Sequence, residues 1–160
     1  MCDEWIGLAR WIVTFVTHGS AGGSYAGPMD EPSRSRDPRR ALGELGERLA
    51  AAHLERAGYQ VLARNWRCRA GELDIVAADR RALVFCEVKT RVAGGRHGPA
   101  GPLDAIGGRK QRRLRMLARE WLCATARSRP GRDALRFDAI GVTLDPGGAL
   151  LALEHVEDAF

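Results

Sequence analysis

The chain has 160 residues and a mass of 17.5 kDa, which suits one domain with a modest hydrophobic core. Its net charge of +5 and its pI of about 9.5 favour an anionic partner, nucleic acid before a membrane surface. The four cysteines are scattered without a CxxC pair, which argues against a disulfide framework or a zinc site and predicts reduced thiols in a cytoplasmic protein.

The N-terminal residues differ in composition from the rest of the chain. The apolar run at residues 5–16 is shorter than the roughly 20 residues that a membrane-spanning helix needs, and its acidic start is unlike that of a signal peptide. Residues 18–40 are rich in Gly, Ser, Pro and Arg, which is typical of a disordered linker. We predict that residues 1–38 are a disordered extension, or an upstream addition to a protein that natively starts at Met29, and that residues 39–160 form the domain.

A first helix is predicted at residues 41–57, where Gly58 provides a stop. One apolar stripe follows helical spacing: Leu42, Leu45, Leu49 and His53. The histidine on this stripe is interpreted as a packed core residue. Gly43 and Gly46 weaken a helix by about 1 kcal/mol each relative to Ala, so a close approach to a sheet is expected to offset them. Glu47 lies near the edge of the stripe; the pattern alone favours a solvated glutamate, and the alternative is that it points at a site on the sheet.

A short strand is predicted at residues 59–63, followed by a polar segment in which three arginines surround Trp66. The arginines could contact a nucleic-acid backbone while the indole stacks on a base. The simpler interpretation is that Trp66 is a partly buried anchor.

Residues 71–91 form the stretch around which the chain is organised. Two runs rich in Val, Ile, Leu and Phe flank a polar break, so a β-hairpin is expected with Arg80 and Arg81 at its tip. In that register Asp74 lies opposite Glu87, and directly opposed side chains have Cβ atoms roughly 4.5–5.5 Å apart. The period of two places Lys89 on the same face as Glu87. The other face is expected to be apolar: Leu73, Ile75, Val84, Cys86 and Val88.

This combination of Asp and Glu-x-Lys suits phosphodiester chemistry. A few carboxylates bind Mg²⁺ while leaving it room for a phosphate, and the ion stabilises charge that develops on the phosphoryl group. A lysine ammonium beside them can orient and activate a water molecule. Only two of the 25 basic residues are lysines, and Lys89 is one of them. The alternative is an amphipathic hairpin with a solvated charged face.

A glycine-rich and proline-containing loop is predicted at residues 92–108, and a second helix at residues 105–126. Six cations crowd eleven residues of this helix and repel one another, which favours an anionic partner: Arg109, Lys110, Arg112, Arg113, Arg115 and Arg119. Two final strands are predicted at residues 136–144 and 149–156. Asp138 in the first of them is expected to pair with an arginine.

Six short motifs in order resemble the YraN family of small bacterial proteins, usually described as predicted endonucleases of the PD-(D/E)xK, Holliday-junction-resolvase-like type. The resemblance covers about residues 39–156, and its motifs are GxxGE (43–47), NxR (65–67), GExD (71–74), VFxEVKxR (84–91), KxxRL (110–114) and RFD (136–138). The resemblance implies an α/β fold, a restriction-endonuclease-like mixed sheet flanked by helices. It also implies a nuclease-like site formed by Glu47, Asp74, Glu87 and Lys89.

From this resemblance and the hairpin together we expect a nuclease that hydrolyses a phosphodiester, with DNA as the expected substrate and branched or processed structures among the candidates. Asp74, Glu87 and Glu47 are expected to bind Mg²⁺ or Mn²⁺, and Lys89 to activate water. Four cations are expected to hold nucleic acid: Lys110, Arg113, Arg91 and Arg67. No membrane partner is expected, and a homodimer would suit a junction resolvase. The alternative is a non-catalytic nucleic-acid-binding module that retains the nuclease fold.

Overall fold

A computed structural model of the chain describes residues 37–94, 106–128 and 130–160. The elements in these ranges are α1 (Pro38–Arg56), β1 (Gln60–Cys68), β2 (Gly71–Ala78), β3 (Ala82–Val92), α2 (Gly108–Ala124), β4 (Ala134–Leu144) and β5 (Leu150–Val156). The predictions for residues 1–36 and for the centre of the loop, residues 95–105, lie outside the described residues. No helix in the described ranges is long and apolar enough to span a membrane.

The five strands form one mixed sheet in the order β1-β2-β3-β4-β5. Strands β1, β2 and β3 are antiparallel neighbours, β4 is parallel to β3, and β5 is antiparallel to β4. Parallel neighbours need a crossover connection, and α2 lies in the one between β3 and β4. The predicted mixed sheet flanked by helices is confirmed.

The two helices belong to separate cores on opposite faces of the sheet. Helix α1 packs with Ile75, Val84 and Cys86, whereas α2 packs with Val76 and Phe85. Because both faces are covered, β2 and β3 are almost continuously buried rather than alternating. The hairpin therefore has a charged face only near its open end. Leu73 was expected beside Ile75, but it packs in the cluster under α2.

Helix α1 approaches strand β3 closely at Gly46. A Cβ on Gly46 would overlap the Thr90 side chain of β3, whereas a Cβ on Gly43 would meet nothing. The expected close approach therefore applies to Gly46 alone. The predicted leucine stripe is only partly buried, and the buried side of the helix consists of Gly46, Ala50, Ala51, His53 and Leu54. Gly58 ends the helix as expected, with a φ of 89°.

Strand β1 is longer than its sequence indicates. It was expected to end at residue 63, but pairing with β2 continues to Cys68↔Gly71. The polar segment around Trp66 is thus an edge strand, in which exposed arginines alternate with partly buried residues. Trp66 packs against the cluster under α2, which confirms the interpretation as an anchor.

A buried polar network joins α1, β4, β5 and the C-terminal residues. Asp138 is fully buried; it accepts hydrogen bonds from Arg136 Nε and Nη2 at 2.9 Å each, and lies 2.9 Å from His155 Nε2. Burial raises the pKa of Asp138, but these hydrogen bonds outweigh it and lower the pKa below the ordinary value. His53 of α1 contacts His155 edge to face, with ring centroids 5.4 Å apart. The expected pairing of Asp138 with an arginine is confirmed.

Candidate active site

The β2–β3 hairpin brings Asp74 and Glu87 to one end of the sheet. The expected register is observed in four pairs, from Ile75↔Cys86 to Ala78↔Leu83, and the tip is Arg80-Arg81. Next to Ile75, the side chain of Asp74 accepts a hydrogen bond from the backbone of β3. Its Oδ2 accepts a hydrogen bond of 2.8 Å from the Val88 N–H, so the carboxylate is held beside the residues that follow Glu87.

Glu47 reaches the same region from α1. The packing of Gly46 against Thr90 places the next residue of the helix beside the end of β3. One carboxylate oxygen of Glu47, Oε2, is buried and has no hydrogen-bond partner. An unpartnered buried carboxylate oxygen is costly, and a cation beside it would reduce that cost.

The electrostatics at Asp74 lead to the same conclusion. Burial, followed by the nearby Glu87 carboxylate, raises the pKa of Asp74 to about 7. Glu47 raises it further, while the Val88 N–H and Lys110 lower it. Three acidic side chains from α1, β2 and β3 therefore influence one another, and together they have an excess of negative charge.

Lys110 of α2 contacts this acidic group. Its Nζ lies 2.7 Å from Glu87 Oε1, and the Glu87 side chain is only 11% exposed. Lys110 was expected to hold a phosphate; in this structure it contacts Glu87 and partly neutralises it. Lys89 is exposed on β3, two residues beyond Glu87.

The acidic side chains supply oxygen donors of the type that a hard divalent cation prefers. No group of three or more His, Cys, Asp or Glu side chains in residues 37–94, 106–128 and 130–160 is close enough to hold a metal ion in this arrangement, in which Lys110 binds Glu87. The unpartnered Glu47 oxygen and the raised pKa of Asp74 are nevertheless features that an added cation would relieve. Carboxylate oxygens are the ligands that Mg²⁺ and Mn²⁺ prefer.

The arginines expected to bind nucleic acid lie in two places. Arg113 of α2 and Arg67 of β1 line one cleft of about 300 Å³ at the β1–β2 turn. Arg91 of β3 instead donates a hydrogen bond of 3.0 Å to Thr143 Oγ1 of β4. Arg69 is one of the three arginines around Trp66 that could contact a nucleic-acid backbone, and it lines the same cleft as Arg113.

A five-stranded mixed sheet between two helices, with acidic residues at one end of a central hairpin, is consistent with an endonuclease-like fold. The sequence profile of "Uncharacterised protein family UPF0102" matches residues 46–142. The chain belongs to this family, UPF0102, which is the YraN family that the motifs indicated.

Relatives cover almost the whole described domain. A UPF0102 protein of Frankia casuarinae is 47% identical over 120 residues, covering 75% of this chain and 96% of the relative. A UPF0102 protein of Streptomyces griseus is 51% identical over 111 residues, covering 69% and 89% of the two chains. A UPF0102 protein of Acidothermus cellulolyticus is 50% identical over 111 residues, covering 65% and 82%. These names give the family and no activity.

Proposed function

We propose that this protein is a metal-dependent nuclease that hydrolyses a phosphodiester bond of DNA. The observation that supports the proposal is the electrostatic effect of Glu87 and Glu47 on Asp74, whose pKa is raised, together with the buried unpartnered oxygen of Glu47. Buried groups with perturbed pKa values concentrate at functional sites because folding alone does not favour them.

Asp74, Glu87 and Glu47 would hold Mg²⁺ or Mn²⁺. The ion supplies Lewis-acid stabilisation of the charge that develops on the phosphoryl oxygens. The Val88 N–H donates a hydrogen bond to Oδ2 of Asp74 and thereby orients the carboxylate. Lys89 is exposed on β3 two residues beyond Glu87, and under this proposal its ammonium would orient the attacking water and exchange a proton with it.

The cations of α2 would hold the DNA backbone on this face. Lys110 and Arg113 are three residues apart and therefore share one side of the helix. Branched or processed DNA is the first substrate class to test. Two-fold cleavage of a junction needs two sites, so we propose a homodimer on such a substrate, to be measured by sedimentation with and without DNA.

A second candidate is a nucleic-acid-binding module without turnover. The observation in its favour is the Lys110–Glu87 ion pair, because an ammonium at this carboxylate can take the place of a metal ion. Under this alternative the acidic residues stabilise the docking of α2, and the basic surface alone binds DNA.

A nuclease panel with matched variants separates the two candidates. Branched, duplex and single-stranded substrates are incubated with Mg²⁺, Mn²⁺ or EDTA. Glu87→Gln keeps the shape of the side chain but removes its charge, so metal affinity and cleavage should both fall at least tenfold while DNA binding persists. Lys89→Ala should keep metal binding and lose turnover, and Lys89→Arg should restore it only in part because a guanidinium is a poor proton acceptor.

Glu120→Gln is the control, because Glu120 is an exposed carboxylate of α2 away from the acidic residues. It should cleave and bind metal like the parent protein. If the parent shows no metal-dependent cleavage of any substrate, and calorimetry detects no Mg²⁺ or Mn²⁺ binding that Glu87→Gln removes, the enzyme proposal fails and the binding module replaces it.

A further inference from the structure

The cleft at the β1–β2 turn is a concentrated positive surface distinct from the acidic site. Its lining is one short segment of chain and one helix residue: Arg67, Cys68, Arg69, Ala70, Gly71, Glu72 and Arg113. Arg67 Nε lies 2.9 Å from Glu72 Oε2, so one guanidinium is partly neutralised. Within the described ranges, Arg69 and Arg113 form no ion pair with a carboxylate, and both are exposed.

Gly71 shapes this cleft by giving Arg113 access to the turn. A Cβ on Gly71 would collide with the Arg113 guanidinium. The backbone φ of Gly71 is 143°, a value that residues with a side chain rarely adopt. The turn therefore has both the conformation and the space that let a cation from α2 lie against it.

The charge of the cleft indicates which ligand it suits. Three arginines and one glutamate give a formal charge of +2. A phosphate monoester carries a charge of about −1.5 to −2 at pH 7, whereas an internal phosphodiester carries about −1. Guanidinium groups bind phosphate oxygens in pairs of parallel hydrogen bonds, and three of them can contact three terminal oxygens. We propose that this cleft binds the terminal phosphate of a nucleic-acid strand.

The position of the cleft connects it to the proposed nuclease site, and this step rests on the proposed function. Lys110, which contacts Glu87, and Arg113, which contacts the cleft, are one turn apart on α2. Asp74 lies three residues beyond Gly71 on β2, or about 10 Å along an extended strand. That distance is about three base-pair rises measured along the axis of a duplex. The substrate is therefore a phosphorylated strand end, such as a nick or flap, held with its terminal phosphate in the cleft.

The test is a binding titration in EDTA, so that it does not depend on cleavage. Fluorescence anisotropy compares one oligonucleotide in three forms: with a 5′-phosphate, with a 3′-phosphate and with neither. The protein should bind one phosphorylated form about tenfold more tightly than the unphosphorylated form. The unphosphorylated form lacks the terminal group and therefore the charge-assisted hydrogen bonds to it. The preference should weaken below about pH 6, where the monoester gains a proton.

Arg69→Gln and Arg113→Gln should each reduce this preference to about twofold or less. Arg127→Gln is the matched control, since it removes the same charge from an exposed position beyond α2. Circular dichroism checks that each variant is folded. Equal affinity of the parent for all three oligonucleotides would overturn the proposal, as would a preference that survives in both cleft variants. If the Glu87→Gln protein loses cleavage but keeps the phosphate preference, the phosphate-binding role of the cleft is supported. The loss of cleavage then concerns the nuclease proposal alone.

Discussion

Lys110 is one of two lysines among 25 basic residues, and it is the one that contacts Glu87. Its ammonium neutralises a carboxylate that the proposed metal ion would also bind, so the two cations compete for one group. Displacement from Glu87 would free Lys110 to contact a substrate phosphate. Lys110 can thus have two states. It pairs with Glu87 in the observed structure, and it would contact a phosphate, as the sequence suggested, once it is displaced.

The Lys110→Met substitution tests this competition. It keeps the unbranched stem and removes the charge, so Mn²⁺ should bind several-fold more tightly because no protein cation opposes it at Glu87. Calorimetric titration of Mn²⁺ is the measurement. Arg109→Met, the adjacent exposed cation, should leave the affinity close to that of the parent. Unchanged Mn²⁺ affinity in the Lys110 variant would show that the ion pair does not compete with the metal.

Some site residues could be placed from the sequence and others could not, for a physical reason. The turn and the period of two predicted the observed hairpin register as far as Ile75↔Cys86, next to Asp74 and Glu87, because a hairpin is a local structure. The contact between Lys110 and Glu87 depends on how α2 docks onto the sheet, and no local pattern encodes that docking. For the same reason the cleft joins Arg69 and Arg113, which are distant in the sequence.

At the scale of elements, α1 shows how small residues determine helix placement. The leucine spacing identified the correct side of the helix, but the closest contact is made by Gly46, which has no side chain to mark it. The continuous burial of β2 and β3 was also missed, because hydrophobic runs of this length do not reveal whether one face or two will be covered.

Two glycines on this helix give opposite predictions. Gly46→Ala inserts a Cβ into the Thr90 side chain, so it should destabilise the protein by about 1–3 kcal/mol, less the gain in helix propensity of up to about 1 kcal/mol. Gly43→Ala meets no neighbour and should stabilise by up to about 1 kcal/mol. Urea unfolding of both variants measures the difference. Combining Gly46→Ala with Thr90→Ala should recover part of the loss. Equal effects at the two positions would contradict the packing role of Gly46.

At the scale of the whole molecule, His53 makes stability depend on pH. Burial, then the nearby His155 and Arg56, lowers the pKa of His53 below 6.5. At pH values between the pKa of His53 in the folded chain and its pKa in the unfolded chain, His53 is protonated mainly in the unfolded chain. The contribution of His53 to the free energy of unfolding should therefore decrease as the pH falls below about 6.5, whereas Asp74, whose pKa is raised to about 7, contributes in the opposite direction.

The His53→Phe substitution keeps a ring at the contact with His155 but removes the titration. The contribution of Asp74 is common to both proteins, so the unfolding free energy at pH 5.5 relative to that at pH 7.5, measured in urea, should be higher in the variant than in the parent. The buried Asp138 does not interfere in this window, because its lowered pKa affects stability only below about pH 4. An identical pH dependence of the unfolding free energy in the two proteins would show that His53 does not contribute to it.

The charge of the molecule predicts how DNA binding responds to salt. If α2 contacts phosphates, log K should fall with log salt by about 0.9 per neutralised phosphate of duplex DNA. Replacing Lys110 and Arg113 together by Gln should lower that slope by roughly two, or by about one if Lys110 stays on Glu87 in the complex. Titrations in EDTA at several salt concentrations measure it. An unchanged slope would mean that this helix face is not the DNA-binding surface.

Glu47 comes from a helix on one face of the sheet and Lys110 from the helix on the other, so the region between them exists only when both layers are assembled on the hairpin. A ligand that binds there has no equivalent site in the unfolded chain. Its binding energy is therefore added to the global stability, by about 2.7 kcal/mol when its concentration is 100 times its Kd. Thermal melting thus becomes a direct assay of occupancy. Divalent cations and phosphorylated oligonucleotides can be ranked by the rise in Tm, without any need for the protein to turn over a substrate.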